Sequence, residues 1–475
     1  MKNKGLILLN VLVFAVIAIT VTLALTNWAA STAKNLKQLT IREQALHVAE
    51  AGIDYYRWHL DQDPEDYTDG NGPEATGPFV HDFEDKAGNV IGQFSLTIEP
   101  VGGSVGTVIV TSKGTMTANP SVSRTIQATL GASSLARYFI AANDNLTFTS
   151  GVETRGRVHS NKGIHFNGIA YSPVTSSKAK YVDPDNGAAE RFGVYTTSGA
   201  DDPSPPAAVP PRSDVFRAGR TFPVAEIDFS ALTEQLIRLK TAAQASGRYF
   251  PASGEKGYHV ILKTNGTFDL YIVEDVTSPS TKCEKEAADQ GEGWGTWTIK
   301  NSHEEFVDTY SFPATGAIFF EDHVWVDGSI DGARLTIGAG TFPGSSSTWK
   351  NIIVNEDVLY TNYNGEDVLG LVAQGNVHLG LESSDDLRID AALVAQNGRV
   401  GRYRYHNSCG AGHDRQSFTL YGMIATNFRH VFAYTDGTGY DNRNLNYDPN
   451  LLFAPPPYFP LLSSRHHILS WDEVK

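Results

Sequence analysis

The residues best suited to chemistry lie in one glycine-rich loop, residues 405–414, which holds two histidines and one of the chain's two cysteines. His406, Cys409 and His413 could turn toward one point, and Cys283 would complete a set of two cysteines and two histidines. Tetrahedral zinc sites are commonly built from such a set. The alternative is a disulfide between Cys283 and Cys409, which export to an oxidising compartment would favour. We expect the disulfide, and titration of the thiols without reductant separates the two.

Acidic side chains form a second group that could bind a metal. Four aspartates resemble a loose calcium loop: Asp61, Asp63, Asp66 and Asp69. They lack the D-x-D-x-D-G register of a calcium loop, so an exposed acidic loop is the favoured interpretation. The chain also has no G-x-S-x-G, H-E-x-x-H or Walker motif. The sequence therefore predicts neither an enzyme nor a resident cofactor, with zinc and calcium as the two metals that have candidate ligands.

Composition narrows the classes of partner and the number of domains. The formal net charge is -15, which argues against nucleic acid as a partner because the phosphate backbone is also negative. With 475 residues and 41% hydrophobic content, the chain is long enough for two or three domains with substantial cores.

A long N-terminal helix is the element that must position everything else. Twenty uncharged residues, 6–25, follow Lys2 and Lys4, and at ~1.5 Å per residue they match a hydrocarbon layer of roughly 30 Å. Helix-forming residues continue to Gln62, before Asp63 and Pro64. Larger apolar residues recur at helical spacing on one face: Leu36, Leu39, Leu46, Ala49, Ile53, Tyr56 and Leu60. We therefore predict one helix over 6–62, with a transmembrane segment at 6–25 and the N-terminus in the cytoplasm.

Two short segments of this region resemble type IV pilins. Lys4-Gly5, directly before the apolar helix, resembles the leader and cleavage point of a type IV prepilin. The segment ALHVAEAGI, residues 45–53, resembles the A-x-x-A-E-A-G segment of PilX-like minor pilins. The resemblance covers about the first sixty residues. It implies that residues 1–5 are a leader, that prepilin peptidase removes this leader, and that Leu6 becomes the methylated N-terminus.

Asn10 departs from the pattern of major pilins. Those proteins carry glutamate five places after the cut, where it can pair with the terminal amine of a neighbouring subunit. Asparagine can form hydrogen bonds there but brings no charge. The tip pseudopilin of type II secretion also lacks this glutamate, so the resemblance implies a tip or low-abundance subunit rather than a shaft subunit.

The remaining sequence is predicted to be mainly β. Residues 63–132 contain runs that alternate apolar and polar residues, which indicates a small antiparallel sheet beside the helix, as in a pilin head. Residues 135–475 form a larger β-rich region, in which the phrase VAQGN at 372–376 is followed 22 residues later by VAQNG at 394–398. A coil of a parallel β-helix is about that long, and a β-sandwich or jelly roll is the alternative.

Two features interrupt the β-rich region. Residues 197–214 are rich in proline and predict an extended, exposed linker. A helix over 228–245 follows, with Asp228 or Ser230 as its cap.

These observations predict an α+β protein that works by assembly and contact. We interpret it as a minor pilin or pilin-like protein, which assembles with other pilins and displays its large β-domain for assembly initiation, adhesion or surface contact. A surface glycan, or a host or abiotic surface, is the candidate target. The protein would span the membrane once before assembly and lie on the pilus or cell surface afterwards. The alternatives are a type II secretion tip pseudopilin and a membrane-tethered, polysaccharide-active β-helix enzyme.

Overall fold

The computed structural model describes residues 4–63, 66–72, 75–100, 107–187, 189–286 and 293–474. The chain divides into two compact units. The first contains Met1–Pro100, Val108–Gly131 and Arg465–Lys475, and the second contains Val101–Thr107 and Ala132–Ser464. The predicted α+β architecture is confirmed: a long N-terminal helix with a small antiparallel sheet is followed by a large, mostly β unit.

The first unit places the helix α1 (Lys4–Gln62) on a five-stranded sheet. Four of its strands are β1 (Phe79–Glu84), β2 (Val90–Pro100), β3 (Thr107–Met116) and β4 (Asn119–Ser134). The pairs β1–β2 and β2–β3 are antiparallel.

The fifth strand of this sheet comes from the C-terminal end of the chain. It spans Leu461–Val474 and lies next to β4. The sequence assigned these residues to the large domain, and that boundary was wrong. A strand at a sheet edge needs a neighbour for its backbone N–H and C=O groups, and local sequence does not say which sheet supplies it.

The helix α1 packs on the sheet only from Ile41 onward. The apolar side chains buried there form one stripe: Ile41, Ala45, Val48, Ala49, Ile53, Tyr56 and Leu60. Leu36 and Leu39 were predicted to continue this stripe, but both are exposed. Helical spacing predicts which residues share a face, whereas the reach of the sheet decides how much of that face is covered.

The acidic loop after α1 is only partly exposed. Asp66 Oδ2 lies 2.7 Å from His59 Nε2, and Asp69 Oδ2 lies 2.5 Å from His81 Nε2. Both carboxylates are largely buried, which corrects the predicted exposed loop for these two residues. Burial alone would raise the pKa of Asp66, but hydrogen bonds from Thr68, His59 and the Gly70 amide hold that pKa at about 2. Pro64, the predicted helix stop, lies outside the described residues.

The second unit is built mainly from short strands. Those in its N-terminal part are β5 (Tyr138–Ala142), β6 (Leu146–Phe148), β7 (Glu153–Thr154), β8 (Arg157–Ser160), β9 (Ile164–Phe166), β10 (Ile169–Ala170), β11 (Val174–Ser176), β12 (Lys180–Val182), β13 (Glu190–Phe192), β14 (Val194–Tyr195) and β15 (Arg220–Thr221). Helix α2 (Leu232–Ser246) follows.

After α2 the chain returns to β-structure, with one short helix, α3 (Thr281–Glu286). The strands are β16 (Arg248–Phe250), β17 (Gly257–Lys263), β18 (Thr267–Val273), β19 (Glu304–Ser311), β20 (Ala317–Phe320), β21 (Val324–Ile330), β22 (Arg334–Ala339), β23 (Ile352–Ile353), β24 (Val358–Tyr360), β25 (Val368–Ala373), β26 (Val377–Leu379), β27 (Asp386–Ala395), β28 (Val400–Arg402), β29 (Asp414–Thr426) and β30 (Gly439–Tyr447).

One long parallel sheet, here called the parallel stack, organises the second unit. Its strands lie in the spatial order β16, β20, β22, β25, β27, β29, β5, β8, β11 and β15, and every neighbouring pair is parallel. The register places aliphatic side chains in one buried row: Ile318, Ile337, Leu371, Leu393, Ile424, Ile140, Val158 and Val174. A β-sandwich would instead be made mainly from antiparallel pairs.

The two copies of the repeated phrase lie side by side in two neighbouring strands. Val372 pairs with Val394, and Ala373 pairs with Ala395, in parallel β25 and β27. Asparagines follow the strands and bond to one another along the turn: Asn161 Nδ2 donates to Asn143 Oδ1, and Asn143 Nδ2 donates to Asn427 Oδ1, both at 2.8 Å. These bonds satisfy amide groups at the bends, where the strand ladder ends.

The order of strands in the stack differs from their order in the chain. The first strand of the stack in chain order is β5, which lies between the two ends of the stack. From β5 the chain continues along the stack to β15 at one end, and the next strand, β16, lies at the other end. Helix α2 connects these ends and packs Leu236 and Leu239 in a cluster with Phe319, Val372 and Val394. The helix therefore covers the face of the stack opposite to the aliphatic row.

Helix α2 starts later than the sequence predicted, at Leu232 rather than residue 228. Asp228 Oδ1 accepts hydrogen bonds from the Ser230 hydroxyl at 2.6 Å and the Ser230 amide at 2.9 Å. These bonds form a tight turn before the helix, so the capping residue expected from sequence stabilises that turn instead.

The proline-rich segment 197–214 is largely exposed but is anchored at one buried residue. Asp202 is buried and forms ion pairs with Arg212 and Arg220. Arg212 Nη1 also donates to the Ala200 carbonyl at 2.6 Å. Most residues of the segment are exposed, as predicted, but a buried charge requires partners, and these partners hold the segment against the unit at Asp202.

Candidate functional site

The first half of α1 is an uncovered rod whose apolar run ends at Leu25. Residues 7–40 are exposed apart from the half-buried Thr32. Among the described residues this is the one helix that is long and apolar enough to cross a membrane, judged by length and composition. Thr22 donates its hydroxyl hydrogen to the Ala18 carbonyl at 2.7 Å, and Thr20 donates to the Val16 carbonyl. These polar groups are satisfied inside the helix, as a hydrocarbon environment requires.

The predicted processing residues lie at the start of this rod. The backbone is helical from Lys4, so Lys4, Gly5 and Leu6 belong to its first turns, whereas residues 1–3 of the predicted leader lie outside the described residues. Asn10 is exposed on the same helix. Neither finding tests cleavage, which stays a prediction.

Helix and sheet approach each other closely at the segment that resembles PilX-like pilins. A Cβ atom at Gly114 of β3 would clash with the Ala45 carbonyl oxygen and the Ala49 amide nitrogen of α1. A Cβ atom at Gly52 would clash with the Ser112 hydroxyl. The small residues of this segment therefore let the backbone of the helix lie directly on the sheet.

The cysteine and histidine residues of the loop are arranged around a disulfide. The structure joins Cys283, in α3, to Cys409, with their Cα atoms 4.7 Å apart. Bonded sulfurs are not thiolates, so they are not zinc ligands in this arrangement. His413 Nδ1 lies 2.8 Å from the Gly410 carbonyl oxygen. Across the described part of the chain, no group of three or more His, Cys, Asp or Glu side chains could hold a metal ion.

A polar face that the sequence did not identify lies on β27, β29 and β30. Three rows of side chains cross these strands in register: Asp386, Ser417 and Asn442; Arg388, Thr419 and Asn444; Tyr421, Asn446 and the buried Asp390. Hydroxyl, amide and charged groups thus repeat from strand to strand at a spacing of about 4.8 Å. Such a face can form many hydrogen bonds with an extended polar ligand.

Two buried carboxylates anchor this face. Asp390 accepts hydrogen bonds from Arg388 Nε at 2.9 Å and from the Tyr363 hydroxyl at 2.6 Å. Asp448 accepts one from the Tyr421 hydroxyl at 3.1 Å. Burial raises the pKa of Asp448, and the nearby charge of Asp390 adds to the effect. An aspartate in the middle of the apolar strand LRIDAALVA was the sequence signal that could have drawn attention to this cluster.

A second charged cluster involves His259 on β17. Its Nδ1 lies 2.7 Å from Glu304 Oε2, and its Nε2 lies 2.7 Å from Asp327 Oδ2. Burial alone would lower the pKa of His259, but the hydrogen bonds to Asp327 and Glu304 outweigh it and raise the pKa to about 9. The imidazolium thus links strands β17, β19 and β21.

This cluster predicts a pH-dependent stability. Because the folded pKa of His259 lies above its ordinary value of 6.5, the stabilisation is complete below pH 6.5 and is lost as the pH rises through about 9. We expect the thermal unfolding midpoint to fall across this window and to fall less in His259→Gln. The more exposed His303, replaced by glutamine, serves as the control. Equal pH profiles for the wild type and His259→Gln would contradict the assignment.

Comparisons with known proteins give few matches. No protein-family model matches the chain, and no curated protein matches it. Among solved structures, the chain is similar to the competence-associated pilin ComZ from Thermus thermophilus, with 14% sequence identity and a TM-score of 0.29. That alignment covers 92% of this chain and 98% of the other. A likeness of this extent assigns no function.

Proposed function

We propose that the chain is a minor pilin or pilin-like subunit of a type IV pilus system, PilX-like in its N-terminal region. Its helix would insert first into the membrane and then among the helices of other pilins. Its second unit, which we interpret as a parallel β-helix domain, would be displayed for assembly initiation, adhesion or contact with a surface such as a glycan.

The main support for this proposal is that the first half of α1 is exposed, whereas its second half packs on the sheet. The helix has 59 residues, or roughly 88 Å at ~1.5 Å per residue, while a membrane requires only about 20 of them. Beyond the apolar run, Trp28, Leu36 and Leu39 are each more than half exposed. A simple anchor does not need large apolar side chains outside the membrane. Packing among similar helices would bury them.

The start of the chain supports the same proposal. Lys4 and Gly5 would form the processing site for prepilin peptidase, and Leu6 would be the new N-terminus. Asn10 lacks the charge that pairs shaft subunits with their neighbours, so the protein would serve as a tip or low-abundance subunit. The disulfide proposed for Cys283 and Cys409 agrees with export to an oxidising compartment.

The intact mass of the protein purified from its own cells tests the proposal. We expect a chain that has lost residues 1–5 and gained one methyl group. Gly5→Val should retain the leader, because the small residue before the cut is the decisive part of the implied recognition motif. Asn10→Ala, which leaves the cleavage point intact, is the matched control and should still be processed.

Two outcomes would contradict the proposal. A wild-type mass equal to the whole chain would support an uncleaved anchor. Cleavage after the apolar run, near residue 25, would indicate a secretory signal and remove the helix that is needed for assembly.

A further inference from the structure

The second unit contains a cleft of about 360 Å³ beside the asparagine-lined turn of the parallel stack. One wall is formed by residues 226–230, which lead into α2, and the other by amide side chains that include Asn143, Asn427 and Gln396. The volume lies in the range of sites for small molecules, and the polar lining suits a polar ligand.

The two copies of the repeated phrase show what is unusual about this cleft. Gln374, in the first copy, is bonded at both ends: its Oε1 accepts from the Thr341 amide at 2.9 Å, and its Nε2 donates to the Thr341 carbonyl at 3.0 Å. Gln396, at the same position of the second copy, contacts the Thr233 hydroxyl through Nε2. Its Oε1 is buried and has no hydrogen-bond partner within the described ranges. The two side chains are 4% and 3% exposed, so the difference is not one of burial.

The neighbouring amides cannot easily turn to satisfy Gln396, because they are already bonded. Asn143 is bonded to both Asn161 and Asn427. Asn161 also exchanges two hydrogen bonds with the backbone of Ile227, at 2.7 and 2.8 Å. A buried polar atom without a partner is unfavourable, and Gln396 lines the cleft, so a small rotation of its amide toward a group that enters the cleft would supply the missing bond.

The chemistry of the wall indicates the type of group that fits. The oxygen and nitrogen of an amide can exchange places by rotation, so Gln396 offers the cleft either an acceptor or a donor. A hydroxyl group both donates and accepts, and it can pair with either orientation. Asp228 uses Oδ1 for the turn at Ser230, and its Oδ2 takes no part in those bonds. A carboxylate oxygen is a strong acceptor for a second hydroxyl.

We propose that this cleft binds one hydroxyl-rich ring of monosaccharide size, held by hydrogen bonds to Gln396 and Asp228. The inference goes beyond the proposed function, because it requires neither processing nor assembly of the chain. It assigns the displayed unit a specific binding site.

Binding of simple sugars to the full chain tests the inference. The protein would be purified in a detergent without a sugar headgroup and mixed with the methyl glycosides of glucose, galactose, mannose and N-acetylglucosamine. Saturation-transfer NMR detects binding, and calorimetry measures the affinity. We expect at least one glycoside to bind and Gln396→Leu to weaken its binding at least about tenfold, as for the loss of one well-formed hydrogen bond. Gln374→Leu is the matched control and should retain the wild-type affinity.

A second variant keeps the test decisive if Gln396→Leu does not fold. Asp228→Asn preserves an oxygen for the turn at Ser230 but removes the charge, and it should weaken binding several-fold. If no glycoside binds to the wild type, water occupies the cleft and the inference is overturned. Binding that is unchanged in both variants would also overturn it. A chain that keeps its leader can still be tested for sugar binding, so failure here is distinguishable from failure of the proposed function.

Discussion

Replacement of Gly114 by valine is expected to destabilise the first unit by about 3 kcal/mol, at the upper end of the usual cost of overpacking. The reason is that the new side chain would meet the backbone of α1 at Ala45 and Ala49, which cannot rotate away as a side chain can. The helix would have to move off the sheet and expose part of its buried stripe. For a unit of this size the unfolding midpoint should fall by roughly 10 °C. Thermal unfolding of the full chain in detergent, followed by circular dichroism, measures this.

Gly72→Val is the matched control for this prediction. Gly72 lies in the same unit, and a Cβ atom there would meet nothing within 4 Å. Gly52→Ala should have an intermediate effect, because the atoms it would meet belong to the side chains of Ser112, Phe94 and Leu96. If Gly114→Val unfolds at the same temperature as Gly72→Val, the close approach of helix and sheet is incorrect.

Asp202→Ala is expected to destabilise the second unit by about 3–5 kcal/mol, the usual cost of removing one partner of a buried ion pair. Asp202 accepts bonds from Arg220, whose side chain is only 2% exposed, and from Arg212 at 3.3 Å. Without the carboxylate, the Arg220 guanidinium keeps the Val194 and Pro210 carbonyls but has no anion beside it. The segment 197–214 should detach, and trypsin should then cut after Arg212. Thermal unfolding and limited proteolysis of the full chain measure both effects.

Asp214→Ala provides a control in the same segment. Asp214 also pairs with Arg212, but its side chain is 62% exposed, and an exposed pair contributes only about 0–1 kcal/mol. Rapid cleavage after Arg212 in the wild-type protein would show that the segment is a free linker, as its proline content first suggested.

The two units would divide the proposed task between them. In the first, small residues fix a long helix on a sheet and leave its exposed half, with the apolar run, available for a membrane or for other helices. In the second, parallel strands present a polar face and an amide-lined cleft. A filament subunit that also recognises a surface needs both properties, and under the proposed function separate units would supply them.

The sequence determined the features that depend on local spacing. The apolar run and the helix-forming residues after it predicted α1, which ends at Gln62 as expected. The VAQ phrase recurs after 22 residues, and its two copies lie side by side in β25 and β27, because equal coil lengths bring equal positions into register. The two cysteines were sufficient to suggest a pairing, although sequence left zinc as an alternative.

Only the tertiary structure decided the features that depend on distant parts of the chain. It brought the strand Leu461–Val474 to the first sheet, set β5 beside β29, and buried Asp202 between two arginines. It also distinguished Gln374 from Gln396, which the sequence repeats as equivalent residues. The spacing of apolar residues in the sequence indicates which side of a helix or strand is apolar. The residues that cover this side are far away in the chain. For that reason the partners of a strand, a charge or a buried amide emerge only when the chain is folded.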